Sequence, residues 1–259
     1  MKKTIPFLLL IILFAVATWY SFIKEPDPIH ELPPPLLPSS MPAQEQQAGS
    51  EDEGIAVYPD PVEIQAPLPP LNESDPGIIQ ALAEITEADS LAEYLVKSQV
   101  VSRLMATIDS LTSRQVPAQI NPVKPADGVF VVDTEGEKII MSAENFARYD
   151  GYVALVQNVN PDALVAFYQL YSPLFQEAWE GNGGEGSFND RLFVVIDQLL
   201  ETPDIPGPIY LTKPEAVYLF EDPELEAMTA GQKILVRMGS TNAAVVKEKL
   251  LEVSTKLSP

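Results

Sequence analysis

Thirteen of the twenty-five prolines in this 259-residue chain fall between Pro26 and Pro76, and from Glu25 to Asp75 there are eleven acidic residues and no Lys or Arg. Proline fixes φ and removes a backbone donor, and the uniform negative charge repels itself. Such a stretch cannot bury enough apolar surface to offset its ordering entropy, so residues 25–74 are expected to form a disordered linker. Whatever folds must lie on either side of it.

On the N-terminal side, MKKTIPFLLLIILFAVATWYSFIK runs from Ile5 to Ile23, nineteen residues, without a charge. That is close to the roughly 20 residues a helix needs to span hydrocarbon. Trp19 and Tyr20 sit near its far end, where aromatic rings with a polar edge favour the interface. Lys2 and Lys3 before the run, against one lysine and then acids after it, predict a cytoplasmic N-terminus with everything beyond Lys24 outside. Ala15-Val16-Ala17 offers the competing reading, a cleaved signal peptide. The chain is exported in both readings, and the apolar character that continues through Trp19, Phe22 and Ile23 favours an uncleaved transmembrane anchor over residues 1–24.

Once the eleven acids from Glu25 to Asp75 and Lys2, Lys3 and Lys24 are set aside, the remainder holds 26 acids against 13 bases, a net charge of −13. This field disfavours nucleic acid, and the five arginines (Arg103, Arg114, Arg148, Arg191, Arg237) are too widely spaced for a basic stripe. There is no cysteine, which removes disulfides and thiolate chemistry, and the single histidine, His30, lies among the linker prolines.

The folded part is expected from Asp75 to Leu257 as a mainly α domain decorated by one small β-hairpin. Asp75-Pro76 reads as an N-cap with Pro at the first helical position, and Ser90–Glu93 spells a capping box. From Lys97 to Arg114 the residues Val100, Val101, Leu104, Ile108 and Leu111 form one helical stripe. Val129–Val132 and Lys138–Met141 flank Asp133–Gly136, a hairpin signature. A helix then starts at Ser142 and runs through ENFARYDGYVALVQNV.

Asn160-Pro161 opens the next helix, with Leu164, Phe167, Tyr171, Leu174, Phe175 and Ala178 at spacings of three and four and a kink expected at Pro173. Ser187 is the N-cap of a stripe made by Phe188, Leu192, Val195, Ile196, Leu199 and Leu200, which Pro203, Pro206 and Pro208 end. Thr212–Glu215 and Thr229–Gln232 spell two further capping boxes, and a last helix from about Thr241 presents Val246, Leu250, Val253 and Leu257.

GNGGEG, Gly181 to Gly186, matches G-x-G-x-x-G letter for letter. A dinucleotide fingerprint requires a strand before the glycines, whereas here a helix precedes them, and Glu177, Glu180 and Glu185 would oppose a diphosphate. The loop therefore reads as a helix C-terminus joined by a flexible turn to the next N-cap, and no cofactor is expected. With no Cys, and no His in the folded part, the Ser-His, Cys-His and His-ligated metal arrangements are out of reach. Carboxylate chemistry remains, with Glu177, Asp190 and Asp197 as its candidates.

Phe188-Asn189-Asp190-Arg191 places an acid and an arginine in the first turn after Ser187. Asp190 suits the cap and the helix dipole, while Asn189 and Arg191 are candidate interaction residues beside the glycine loop. Arg148 and Tyr149 are candidates of the same kind, and they and Lys233 to Arg237 also fit intramolecular ion pairs in so acidic a chain.

The strings ENFARYDGYVALV, FYQLYSPLFQEAWEG, FNDRLFVVIDQLLETP, FEDPELEAMTAGQKILVRMG and NAAVVKEKL resemble the bacterial family known as domain of unknown function 3014. The resemblance covers roughly Leu71 to Leu257 and extends to the layout, an N-terminal anchor and a proline-rich linker ending near LPPLNESDP. It implies an envelope protein of Gram-negative bacteria and carries no activity, so no catalytic residue is transferred. The combined expectation is a single-pass inner-membrane protein whose periplasmic domain acts as a non-enzymatic scaffold, with the membrane and another envelope protein as partners. The alternative is an exported carboxylate-dependent hydrolase acting on cell-wall glycan.

Overall fold

The computed structural model describes residues 68–86, 95–123, 128–215 and 217–257. The expected membrane span, the linker up to Pro67, His30 and the Ser90–Glu93 spelling lie outside the described residues. Helices α1 (Asp75–Thr86) and α2 (Val100–Ser110) come first, then strands β1 (Val132–Glu135) and β2 (Lys138–Met141). Helices α3 (Glu144–Ala147), α4 (Asp150–Asn158), α5 (Pro161–Gly181) and α6 (Phe188–Leu200) follow. Strands β3 (Tyr210–Thr212) and β4 (Leu219–Phe220) and helices α7 (Pro223–Ala227), α8 (Ala230–Arg237) and α9 (Ser240–Leu257) complete the order. Among the described residues no helix is long and apolar enough to cross a membrane.

The apolar stripes do what their spacing predicts. Val100, Val101, Leu104 and Ile108 of α2, Leu164, Phe167, Leu174 and Phe175 of α5, Phe188, Leu192, Val195 and Ile196 of α6, and Val246, Leu250 and Val253 of α9 share one buried cluster. Within it α5 and α6 each meet both α2 and α9. Three predicted caps form as spelled: Asn160 accepts from the Asp162 amide, Ser187 accepts from the Asn189 amide, and Thr229 and Gln232 close both bonds of a capping box.

Other local expectations are corrected. Asp75 is the first residue of α1 and caps α2 instead, its two carboxylate oxygens each accepting at 2.7 Å from the amides of Gln99 and Val100. This holds Gln99 at φ 53, a left-handed conformation rarely adopted by residues with a Cβ. Ser142 is buried rather than capping, and the single helix expected after it is broken into α3 and α4. The side chain of Asn145 ties α3 to the chain entering β1, accepting from the Val131 amide and donating to the carbonyls of Val131 and Ser142. The kink expected at Pro173 is not overturned: α5 is helical on both sides of it, and Ser172 Oγ donates to the Gln169 carbonyl that proline cannot serve (3.0 Å).

The sheet exceeds the expected hairpin. It is an antiparallel four-stranded meander in the order β1-β2-β3-β4, with Ile139 opposite Leu211 and Leu211 opposite Phe220. The hairpin loop is Gly136-Glu137, two residues beyond the expected centre, and Gly136 at φ 64 occupies the position a type II′ turn reserves for glycine. Thr212–Glu215 spells a capping box, but Thr212 ends β3 opposite Leu219 and the residues after it lead toward β4. One face of the meander covers a second, smaller apolar cluster that includes Met141, Ile209, Leu211, Phe220, Leu225 and Val236.

The end of α2 and the start of α8 meet head to tail, the amides of Ala230 and Gly231 donating to the carbonyls of Ser113 and Leu111 (2.7 and 2.9 Å). A Cβ on Gly231 would fall 2.6 Å from Leu199 Cδ2 and 3.2 Å from the Leu111 carbonyl oxygen, so a larger residue would require the Leu199 side chain to shift.

Candidate functional site: a cleft beside the proline segment

Between the small sheet and the start of α9 lies a cleft of about 820 Å³. One wall is Thr202–Ile209, the segment joining α6 to β3; the others come from Met141 at the end of β2, Phe146 and Ala147 of α3, Leu235 and Val236 of α8, and the first turns of α9. Asn242 fastens the corner by donating to the carbonyls of Phe146 (3.2 Å) and Met238 (3.1 Å). Gly239, at φ 83, lets the α8–α9 turn approach the Phe146 ring, since a Cβ there would come within 2.8 Å of it.

The proline segment is tied at its two ends. Lys247 Nζ donates to the Thr202 carbonyl (2.6 Å), and the Met141 amide donates to the Ile209 carbonyl (2.9 Å). Between these ties, residues 203–208 make no backbone hydrogen bond to other described residues. Pro203, Asp204, Pro206, Gly207 and Pro208 are exposed, and Ile205 packs half-buried against the cluster beneath the sheet. The three titratable residues in the lining are Asp150, Asp204 and Lys247.

The glycine loop is built differently. The Gly183 amide donates to Glu180 O and the Gly184 amide to Trp179 O (3.0 and 2.9 Å). Gln176 donates to Gly186 O (3.0 Å) and accepts from the Phe188 amide (2.8 Å), while Trp179 Nε1 donates to Glu185 O (3.3 Å). The indole lies under Gly184, where a Cβ would sit 2.1 Å from ring atoms, and it packs against Phe188, which stacks on Phe175. The Gly183 and Gly184 amides, the Glu185 and Gly186 carbonyls and the space at Gly184 are thus spent on the protein itself, so the turn expected to be flexible is fastened at these points.

None of the four candidate interaction residues lines the cleft. Arg191 fastens α6 to the end of α2, with Nε 2.7 Å from Asp109 Oδ1 and Nη2 donating to the Asp109 carbonyl and to Thr112 Oγ1. Asn189 is half-buried in the first turn of α6. Arg148 reaches the Gly128 carbonyl at 3.5 Å, and Tyr149 is buried at the start of α4.

Arg148 and Tyr149 are brought together with the Lys233–Arg237 stretch that sequence treated separately. Lys233 Nζ pairs with Glu226 Oε1 at 2.8 Å, and the other carboxylate oxygen of Glu226 accepts from the Phe220 amide. Arg237 is buried with its guanidinium 4.9 Å from the Phe220 ring centre. Burial lowers its pKa to about 10, against the pull of Tyr149 and Glu226. Burial raises the Tyr149 phenol in turn, opposed by Arg148 and Arg237. These groups join the sheet to α7 and α8. The carboxylates Glu177, Asp190 and Asp197 are all exposed on α5 and α6, away from the cleft lining.

Sequence reasoning missed the cleft because it treated Pro203, Pro206 and Pro208 only as a helix terminator. The usable signal was there: three prolines in six residues leave three amide donors that no regular element can engage.

The architecture defines a helical domain with a lateral antiparallel meander and an open cleft at their junction. Residues 100–254 match the family described as Protein of unknown function (DUF3014), and the chain belongs to that family. No curated protein and no solved structure matches the chain.

Proposed function

We propose that this chain is a membrane-tethered, periplasm-facing interaction module of the bacterial envelope, non-enzymatic, and that its cleft receives a segment of another envelope protein. The observation that carries this reading is the proline segment: an exposed wall of an 820 Å³ cleft whose backbone groups from 203 to 208 pair with nothing else described. An apolar floor beside free main-chain donors and acceptors is the combination that peptide-binding surfaces use. The tether is supported by the uncharged run Ile5–Ile23 and the proline-rich acidic stretch after it. A linker of about fifty residues reaches on the order of 40 Å as a coil and about 150 Å as polyproline II.

Photo-crosslinking in intact cells tests this. A photo-reactive residue replacing the exposed Pro206 is expected to give a discrete protein adduct, and one replacing Val194, 45% exposed on α6, is expected to give none. Equal labelling from the two positions, or no adduct from 206, would count against the cleft as the contact surface.

A further inference from the structure

We propose that the segment received by the cleft is extended and basic: an apolar stretch of a partner protein that runs alongside Pro203–Pro208 and sets a Lys or Arg against Asp150 and Asp204. This rests on the interaction reading above and specifies the chemistry of the occupant. The extended form follows from the wall. Its free amides, those of Asp204, Ile205 and Gly207, and its carbonyls can exchange main-chain hydrogen bonds only with a chain whose own groups are unspent. A helix has used its backbone groups internally, except at its ends. The apolar part follows from the floor, where Met141, Phe146, Ile205 and Val236 converge.

The sign of the charge follows from where the charged groups stand. Asp150 and Asp204 are exposed in the lining, whereas Lys247 is half-buried with its ammonium held on the Thr202 carbonyl at 2.6 Å. The first turn of α9 adds about half a positive charge, less than either carboxylate carries. Beyond the cleft the chain has a formal net charge of −21, so a basic segment is attracted from a distance and an acidic one repelled.

The test uses the full-length chain and two fluorescent twelve-residue peptides with the same alternating valines and isoleucines, one carrying lysines and the other glutamates between them. Anisotropy is expected to report binding of the lysine peptide, weakened about threefold by Asp150→Asn and again by Asp204→Asn and reduced by added salt, as for charges at an exposed rim. Asp197→Asn, on the exposed face of α6, is expected to change nothing, and circular dichroism checks that each variant keeps its fold. Binding of the glutamate peptide as tight as that of the lysine peptide, no binding of either, or rim variants no weaker than Asp197→Asn would overturn the proposal. The adduct formed from position 206 separates this failure from that of the interaction reading. A crosslinked segment without Lys or Arg leaves the cleft an interaction site and removes the basic occupant, and no adduct removes both.

Discussion

Two connections leave the ends of neighbouring helices in opposite states. Gly181–Ser187, at the end of α5, carries the letters of a nucleotide loop, yet the Gly183 and Gly184 amides and the Glu185 and Gly186 carbonyls are tied to Glu180, Trp179 and Gln176, and an indole fills the space beneath Gly184. Pro203–Pro208, after α6, reads as mere punctuation, yet it is hydrogen-bonded only at its two ends and forms one side of the cleft. A loop is free to bind something when its backbone hydrogen bonds have no partner within the fold, and motif spelling does not report that.

Substitutions probe this contrast, from the largest expected effect to the smallest. Gly184→Ala drives a methyl into the Trp179 ring and is expected to cost about 2 kcal/mol, the scale of an overpacked contact, whereas Pro206→Ala should stay within about 0.5 kcal/mol, and chemical denaturation measures both. Equal losses would erase the distinction between the loops. Gln176→Ala removes the acceptor of the Phe188 amide and the donor to Gly186 O, for an expected loss of about 1–1.5 kcal/mol by the same measurement.

Tyr168, beside Phe175 in the region of the fastened loop, has its phenol pushed up to about 12 by burial, with the charge of Asp190 adding to the shift. Because its folded pKa lies above the ordinary 10, its contribution to stability is complete below pH 10 and is lost as pH rises through 12. The Tyr168→Phe variant should therefore lose less stability across that window, and ultraviolet difference absorbance should place the missing ionisation near 12 rather than 10. The smallest effect is expected from Glu177→Gln, Asp190→Asn and Asp197→Asn, which should each leave cellular function intact. A variant among them that folds normally but behaves like a deletion would favour the hydrolase alternative.

The helical part of the fold was legible because its signals are local. Phe188, Leu192, Val195 and Ile196 announce the buried face of α6 by spacing alone, and Asn160, Ser187 and Thr229 announce caps within three residues of the amides they serve. What stayed hidden depends on partners far along the chain. Strands β3 and β4 are three and two residues long and exist because Leu211 finds Ile139, more than seventy positions earlier. Arg191 looked available for recognition because Asp109, which engages it, is 82 positions away. Asp75 looked like the cap of its own helix because the amides it serves lie 24 and 25 positions on.

Amide hydrogen exchange on the full-length chain gives the most direct measurement of the open wall on which the cleft reading depends. The amides of Asp204, Ile205 and Gly207 are expected to exchange near the rate of an unstructured peptide, on the order of a hundredfold faster than those of Gly183, Gly184 and Phe188, whose acceptors are within the protein. Comparable protection of the two sets would mean that the proline segment already has its partners in the fold and offers no free edge to another chain.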